Sequence, residues 1–153
     1  MESSQNAVSI IWWREGGRLM IYVVDAKIIN SLFYGREQVK LPGGGAKDGE
    51  SPEGAAIREL EEETGLKVKR RRRVRLILSE RVGSHTKHAF LISRYACKGR
   101  PREKKLWDND SILSPPRPIS LEEALDVILC PKSNTFNRDA LMEAKRIIEE
   151  EGL

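Results

Sequence analysis

The sequence contains few cysteines and few histidines, and this scarcity limits the metal and redox chemistry expected of it. There are two cysteines, Cys97 and Cys130, and two histidines among 153 residues. The cysteines are far apart and form no metal-spaced pair, so neither a zinc site nor a disulfide framework is expected. Isolated thiols are typical of a reducing compartment, and we therefore expect a cytoplasmic protein.

Long apolar runs are also missing. No run approaches the roughly 20 apolar residues that a membrane helix needs, and the first residues, MESSQN, lack the basic and apolar regions of a signal peptide. We expect no association with a membrane. At this length one domain is expected, covering residues 1–153. The net charge of +4 mildly favours anionic ligands but identifies none.

The order of the predicted elements indicates an α/β fold with a mixed sheet. The predicted helices include one that begins at Ser51 as N-cap, with Pro52 at its first position, and ends at Gly65. Two further helices are predicted at residues 121–129 and 138–150, and strands at residues 7–13, 18–26, 39–41, 74–79 and 89–95. Residues 27–38 and 98–111 are predicted to be irregular.

The first predicted helix carries the most informative residues. At about 100° per residue, Glu59, Glu62 and Glu63 share one face, beside an apolar arc that would pack on a sheet. An isolated Glu-rich run is usually a solvated helix face. Three clustered carboxylates nevertheless repel one another unless a cation neutralises them, and Mg²⁺ prefers carboxylates, water and phosphate oxygens. We predict a Mg²⁺ site here, with Mn²⁺ as a substitute.

The residues around these glutamates favour the metal site over a solvated face. Gly43, Gly44 and Gly45 allow the backbone to approach a metal or a phosphate closely. The N-terminus of the helix that follows attracts anions. Arg58 precedes Glu62 by four residues and is predicted to orient its carboxylate through a charge-assisted hydrogen bond.

Residues 44–66 as a whole resemble the Nudix box. Fixed residue types at fixed spacing over this length are a specific signal, unlike a lone glycine-rich loop. Every specified position of the box is matched, and these positions read Gly44, five residues, Glu50, seven residues, Arg58-Glu59-Leu60, one residue, Glu62-Glu63, one residue, Gly65-Leu66.

The resemblance implies a fold, a reaction and roles for these residues. The family's fold is an α/β/α sandwich with a mixed sheet, and its reaction is metal-dependent hydrolysis of a phosphoanhydride bond in a nucleoside diphosphate derivative. By resemblance, the metal ligands are Glu59, Glu62, Glu63 and the carbonyl of Gly43. Arg58 and Glu50 support the loop and the carboxylates, while Gly44 and Gly65 are structural, and Gly44 also contacts the substrate.

The general base is left open by the sequence. Glu59 is the first choice, because a carboxylate beside the metal can also accept a proton from water. Family members also use a carboxylate from outside the box, and Glu80 and Glu103 are the outside candidates. Either one is more often simply a surface residue.

Substrate markers lie outside the box. Arg81 and Val82 stand where the family's ADP-ribose enzymes often have a proline, and the tyrosine of diadenosine polyphosphate hydrolases has no counterpart, so nucleoside triphosphates are favoured. Tyr34 and Trp107 are the candidates for gripping the base, because both fall in predicted loops. The adjacent tryptophans at positions 12 and 13 are predicted to pack in the core on opposite faces.

The basic run at residues 67–75 supports a second hypothesis, in which the enzyme removes pyrophosphate from an RNA 5′ end. No aromatic residue is interleaved with the run, so a solvated edge strand is the favoured interpretation and RNA is not the favoured partner. A non-catalytic nucleotide sensor ranks last because the box is intact. By analogy with the family, a homodimer formed through the N-terminal strands is a further expectation.

Overall fold

The computed structural model describes residues 4–29, 35, 37–108, 110–128 and 135–153. Within these ranges the chain forms strands and helices, together with two 3-10 turns at Arg71–Arg73 and Arg94–Ala96. The helices are α1 (Pro52–Thr64), α2 (Leu121–Val127) and α3 (Phe136–Glu150). The strands are β1 (Ser4–Glu15), β2 (Arg18–Ile28), β3 (Glu37–Lys40), β4 (Gly43–Gly45), β5 (Lys67–Val68), β6 (Arg75–Val82), β7 (His85–Ser93), β8 (Cys97–Lys98), β9 (Leu106–Asp108), β10 (Ser111–Leu113) and β11 (Arg117–Ser120).

The main sheet is mixed and has the order β6-β7-β1-β2-β10-β9, with β3 and β11 also paired to β2 and β4 paired to β1. Strand β1 runs parallel to β7, whereas its pairs with β2 and β4 are antiparallel. Side chains alternate across β1, so Ile11 packs with Leu60 of α1 on one face and Ile10 packs with Leu141 of α3 on the other. The predicted α/β sandwich with a mixed sheet is confirmed.

Helix α1 has the ends that the sequence predicted. The Ser51 hydroxyl accepts a hydrogen bond from the Gly54 N–H at 3.0 Å, which satisfies one of the free donors of the first turn. At the other end Gly65 has φ +80° and donates its N–H to the Glu61 carbonyl. A Cβ at Gly65 would also lie 2.9 Å from the backbone nitrogen of Arg102, so both conformation and space require glycine.

The prediction that residues 98–111 are irregular is wrong, because the segment contains β9 and the first residue of β10. These strands have only three residues each, and β10 is held by pairing with β2, which is distant in sequence. Trp107 therefore lies on a strand rather than in a loop. The predicted irregular segment 27–38 also overlaps the ends of β2 and β3, and Tyr34 within it lies outside the described residues.

The two adjacent tryptophans pack on opposite faces of β1, as predicted. Trp12 contacts the core beneath α3, while Trp13 contacts the core beneath α1 and lies 4.6 Å, centroid to centroid, from the ring of Tyr22. None of the helices in the described ranges is long and apolar enough to cross a membrane.

Candidate active site

The three box glutamates on α1 differ strongly in burial. The side chain of Glu63 is 2% exposed, that of Glu59 is 14% exposed and that of Glu62 is 54% exposed. The three carboxylates that share the predicted face therefore range from buried to exposed. This arrangement places one carboxylate against the sheet and leaves another accessible to a ligand.

Glu63 is a buried carboxyl group with an unsatisfied oxygen. Its Oε2 accepts a hydrogen bond from the Gly43 N–H at 2.6 Å, and Lys40 Nζ lies 3.7 Å from Oε1. That second distance is too long for a hydrogen bond, and within the described part of the chain Oε1 has no hydrogen-bond partner. Burial raises the pKa of Glu63 to about 7 against the opposing effects of Lys40 and Gly43. A cation would satisfy this oxygen.

Arg58 holds the box loop and the carboxylates together. It donates to Glu50 through Nε at 2.9 Å and Nη2 at 3.0 Å, and Nη1 donates to Glu59 at 2.9 Å. Its contact with Glu62, the predicted partner, is the longest at 3.4 Å. These hydrogen bonds lower the pKa of Glu50 to about 2 and raise the pKa of Arg58. Glu50 is therefore the main partner of Arg58, and Glu59 is the glutamate that Arg58 orients most closely.

Strand β4 brings glycine backbone against both the sheet and the carboxylates. A Cβ at Gly43 would lie 2.3 Å from the Ala7 carbonyl oxygen, and one at Gly44 would lie 2.7 Å from the Glu59 carboxylate. At Gly43 the backbone leaves no room for a side chain, and at Gly44 a side chain would displace the Glu59 carboxylate. The loop therefore presents bare backbone beside Glu59 and Glu63.

The donors at this site suit a hard divalent cation. Carboxylate oxygens and glycine carbonyls are the ligand types that Mg²⁺ and similar ions prefer, and Glu63 supplies an unsatisfied buried oxygen. In the part of the chain that the structure describes, no three acidic, histidine or cysteine side chains are already close enough to hold an ion. Glu62 lies 3.4 Å from Arg58 Nη1.

A cavity of about 600 Å³ lies between α2 and the strands β2, β3 and β10. Trp107 is paired in register with Ile112, which lines this cavity. Cross-strand partners point to the same face, so Trp107 lies at the rim, with 70% of its surface exposed. The residues that line the cavity are Asp25, Ala26, Lys27, Glu37, Gln38, Val39, Lys105, Ile112, Ser114 and Val127.

Asp108 is a site residue that sequence reasoning missed. It follows Trp107 on β9 and therefore points to the opposite face of the sheet. Burial is the main cause that raises the pKa of Glu59, and the charges of Glu62 and Asp108 raise it further. The charge of Asp108 likewise adds to the raised pKa of Glu63. The alternating pattern of a strand would have revealed this carboxylate, but the segment was predicted to be a loop.

A second, smaller cleft lies at the glycine loop, which is strand β4 (Gly43–Gly45). It has a volume of about 260 Å³ and contains Lys40, Gly43 and Gly44. Gln38 lines both this cleft and the large cavity.

The sequence matches the NUDIX domain over residues 3–138, which is most of the chain. The chain belongs to the Nudix family.

Solved structures with a Nudix fold support the assignment of the architecture. A MutT NUDIX hydrolase from Burkholderia pseudomallei is 23% identical, with 92% of this chain and 96% of that chain covered and a TM-score of 0.57. A mutT/nudix family protein from Listeria innocua is 22% identical over 99% and 98% of the two chains, with a TM-score of 0.65. The NUDIX domain of Shewanella oneidensis NrtR, complexed with ADP ribose, is 17% identical over 99% and 90%, with a TM-score of 0.59. No curated protein sequence matches significantly.

Nudix hydrolases generally use divalent metal ions, which agrees with the oxygen donors around Glu59 and Glu63. Both outside carboxylates considered for the general base, Glu80 and Glu103, are exposed. Glu80 is exposed on β6, the edge strand, where it pairs in register with Lys87. Glu103 is exposed in the segment before β9. Asp108 is the outside carboxylate whose charge acts on the box glutamates.

Proposed function

We propose that this Nudix chain hydrolyses a phosphoanhydride bond in a nucleoside triphosphate or a related small nucleotide, with Mg²⁺ as its metal and Mn²⁺ as a substitute. The observation that carries the proposal is the succession of the large cavity, Gln38 and the glycine loop beside Glu59. The cavity's volume of about 600 Å³ is within the range of roughly 300–1,000 Å³ for small-molecule sites.

The proposed placement of the nucleotide follows from these surfaces. The base occupies the cavity, with Trp107 at its rim, and the phosphates extend past Gln38 and Lys40 toward Gly44. Lys40 adds a positive charge beside this path, and the glycine backbone allows phosphate oxygens to approach closely. The absence of a proline at Arg81 and Val82, both on β6, favours a triphosphate over ADP-ribose.

The roles of the side chains follow from their positions. Glu59, Glu62, Glu63 and the Gly43 carbonyl would hold the metal, which polarises phosphoryl oxygens and activates water when bound. Glu59 accepts the proton from the attacking water, since its carboxylate lies beside the proposed metal site and is oriented by Arg58. Arg58 fixes the position of the Glu59 carboxylate, and its pair with Glu50 anchors it to the loop.

The intact box favours an enzyme over a non-catalytic nucleotide sensor. The NrtR domain was crystallised with ADP ribose, which supports a small nucleotide as the class of ligand for this fold. Glu62 is exposed and Glu63 has an unsatisfied oxygen, so carboxylates remain available for a metal. A pure sensor would have no need of this arrangement.

The experiment that tests the proposal measures phosphate and pyrophosphate release across a nucleotide panel with Mg²⁺. The panel holds ordinary and oxidised nucleoside triphosphates, ADP-ribose, nucleotide sugars, dinucleoside polyphosphates and 5′-triphosphorylated RNA. Wild type, Glu63→Gln and Glu62→Gln are compared with the control Glu61→Gln. Glu61 lies on the same helix, but its carboxylate accepts a hydrogen bond from the Val68 N–H and pairs with Lys67.

We expect metal-dependent turnover of triphosphates in the wild type and in Glu61→Gln. In Glu62→Gln and Glu63→Gln turnover should fall by at least roughly 10²–10⁴, because losing a metal ligand costs as much as losing a general base. Near-normal turnover in both variants would contradict the assignment of the metal site. Binding of nucleotides without turnover of any would instead favour the sensor.

A further inference from the structure

The basic turn, residues 69–73, is a cluster of cations without acidic partners. Within the described ranges no ion pair involves Lys69, Arg70, Arg71, Arg72 or Arg73. Two other surface arginines are neutralised: Arg75 pairs with Glu151, and Arg146 pairs with Glu150. Five adjacent unpaired cations repel one another, so this surface gains free energy when an external polyanion binds.

The fold, rather than the sequence order, brings an aromatic residue to the basic turn. The Lys69 N–H donates to the Ala96 carbonyl at 2.8 Å, and Val68 pairs in register with Cys97. These bonds place the Arg94–Ala96 turn beside the basic turn. Tyr95 in that turn is 77% exposed, which is unusual for an aromatic side chain.

Tyr95 is held in place rather than left loose. Its N–H donates to the Ser93 hydroxyl at 3.2 Å, which caps the 3-10 turn. Lys69, Arg70, Arg73 and Tyr95 line a cleft of about 220 Å³. This volume is below the roughly 300–1,000 Å³ of sites that enclose a whole small molecule, so the cleft suits one portion of a longer ligand.

We propose that the basic turn and Tyr95 form a binding surface for single-stranded nucleic acid. Cations that follow the phosphates beside an aromatic ring that stacks on a base are the combination by which such strands are bound without sequence preference. The proposal does not rest on the proposed function, because the surface lies outside the cluster of Glu59, Glu62 and Glu63. The basic run itself contains no aromatic residue, and Tyr95 comes to it from a later part of the chain.

The surface also continues toward α1. Arg71 lines a shallow cleft with Arg58 and Glu62, and its guanidinium lies beside Gly54 in the first turn of the helix. A single-stranded nucleic acid that binds at Tyr95 and follows the basic turn therefore passes along the outer side of α1. Arg71 extends the run of cations beyond the small cleft.

The test is fluorescence anisotropy with a 5′-fluorescein 15-nucleotide RNA and a DNA of the same mixed sequence, in EDTA to exclude the metal site. Arg73→Gln is compared with Arg81→Gln, since each removes one positive charge from an exposed side chain. Tyr95→Ala is compared with Met142→Ala, an exposed apolar residue on α3. Thermal melting of each variant verifies that the fold is retained.

We expect the wild type to bind single strands and to lose affinity steeply between 50 mM and 200 mM salt. Arg73→Gln should weaken binding and reduce the slope of log K against log salt by about 0.7, whereas Arg81→Gln should change neither. Tyr95→Ala should weaken binding by about 5- to 100-fold, the effect of losing one stacked base. RNA and DNA single strands should behave alike, and the matching duplex should bind more weakly because its bases are not free to stack.

Four results would overturn the proposal. The first is no binding of either oligonucleotide at 50 mM salt. The second is equal loss in Arg73→Gln and Arg81→Gln, which would indicate a general effect of charge. The third is unchanged affinity in Tyr95→Ala. The fourth is binding to phosphatidylserine vesicles that needs Arg73 and Tyr95 while oligonucleotides do not bind, which would make this a membrane surface.

Discussion

At the scale of single residues, the site depends on how closely backbone and carboxylates approach one another. Gly43 and Gly44 are neighbours in β4, yet a side chain at each would meet a different kind of obstacle. A Cβ at Gly43 would meet backbone, the Ala7 carbonyl, whereas a Cβ at Gly44 would meet the end of the flexible Glu59 side chain. The packing of the backbone therefore requires glycine at position 43, whereas the position of the Glu59 carboxylate requires it at position 44.

Alanine substitution at these glycines should give opposite results. Gly43→Ala should lower the free energy of unfolding by about 1–3 kcal/mol, since backbone must move to relieve overpacking. Gly44→Ala should leave stability nearly unchanged but lower kcat, because the Glu59 carboxylate is displaced. Denaturant unfolding and steady-state kinetics of the two proteins check this. An inactive but fully stable Gly43→Ala protein would contradict the assignment.

Two carboxylates compete for the role of general base. If Glu59 is the base, Glu59→Gln lowers kcat by roughly 10²–10⁴, while Asp108→Asn lowers it by less than that range. The reason is that Asp108 acts on the box glutamates through its charge. Single-turnover rates at saturating metal measure the chemical step in both variants. The reverse ranking would transfer the role of base to Asp108.

At the scale of elements, helix α1 is the part that the sequence predicted best. Its ends depend on local chemistry, namely a hydroxyl at Ser51 and a left-handed glycine at Gly65, and such signals are visible in the sequence. The graded burial of the glutamates was not predictable, because it depends on how α1 sits against β1 and β4. The oxygen of Glu63 was left unsatisfied by this packing.

The N-cap of α1 offers a test of stability at this scale. Ser51→Ala removes the acceptor for the Gly54 N–H and should lower the free energy of unfolding by about 0.5–2 kcal/mol. Ser51→Asp keeps an acceptor at the same place and is the matched control, with near-normal stability expected. Urea denaturation followed by circular dichroism measures both. Equal losses in the two proteins would show that the hydroxyl does not act as a cap.

At the scale of the whole molecule, the sheet is assembled by contacts that the sequence does not specify locally. The predicted runs identified β1, β2 and β7, but the parallel pairing of β1 with β7 joins strands separated by about half of the chain. Strands β9 and β10 were missed because each has only three residues and the strand that holds β10, β2, is remote in sequence. The large cavity and Asp108 were missed with them, since both depend on these strands.

Metal binding should stabilise the entire fold, because the donors come from both α1 and the glycine loop. Mg²⁺ at 100 times its dissociation constant adds about 2.7 kcal/mol to the free energy of unfolding. For a chain of this size that corresponds to a rise in Tm of about 5–10 °C. Differential scanning calorimetry should show this rise in the wild type and a smaller one in Glu62→Gln. An equal rise in both would place the ion elsewhere.

Two adjacent side chains of strand β9 point to opposite faces of the sheet. Trp107 lies at the rim of the large cavity, and Asp108 lies on the side of the box glutamates. If the base occupies the cavity as proposed, substitution at position 107 should alter the preference for the base without moving the charge at position 108. Successive substitutions at position 107 can then change the substrate preference while selection maintains Asp108 and the box glutamates. Insertion of one residue into β9 would exchange the faces to which the two side chains point. We therefore expect homologous chains to differ in this strand by substitution and seldom by insertion or deletion.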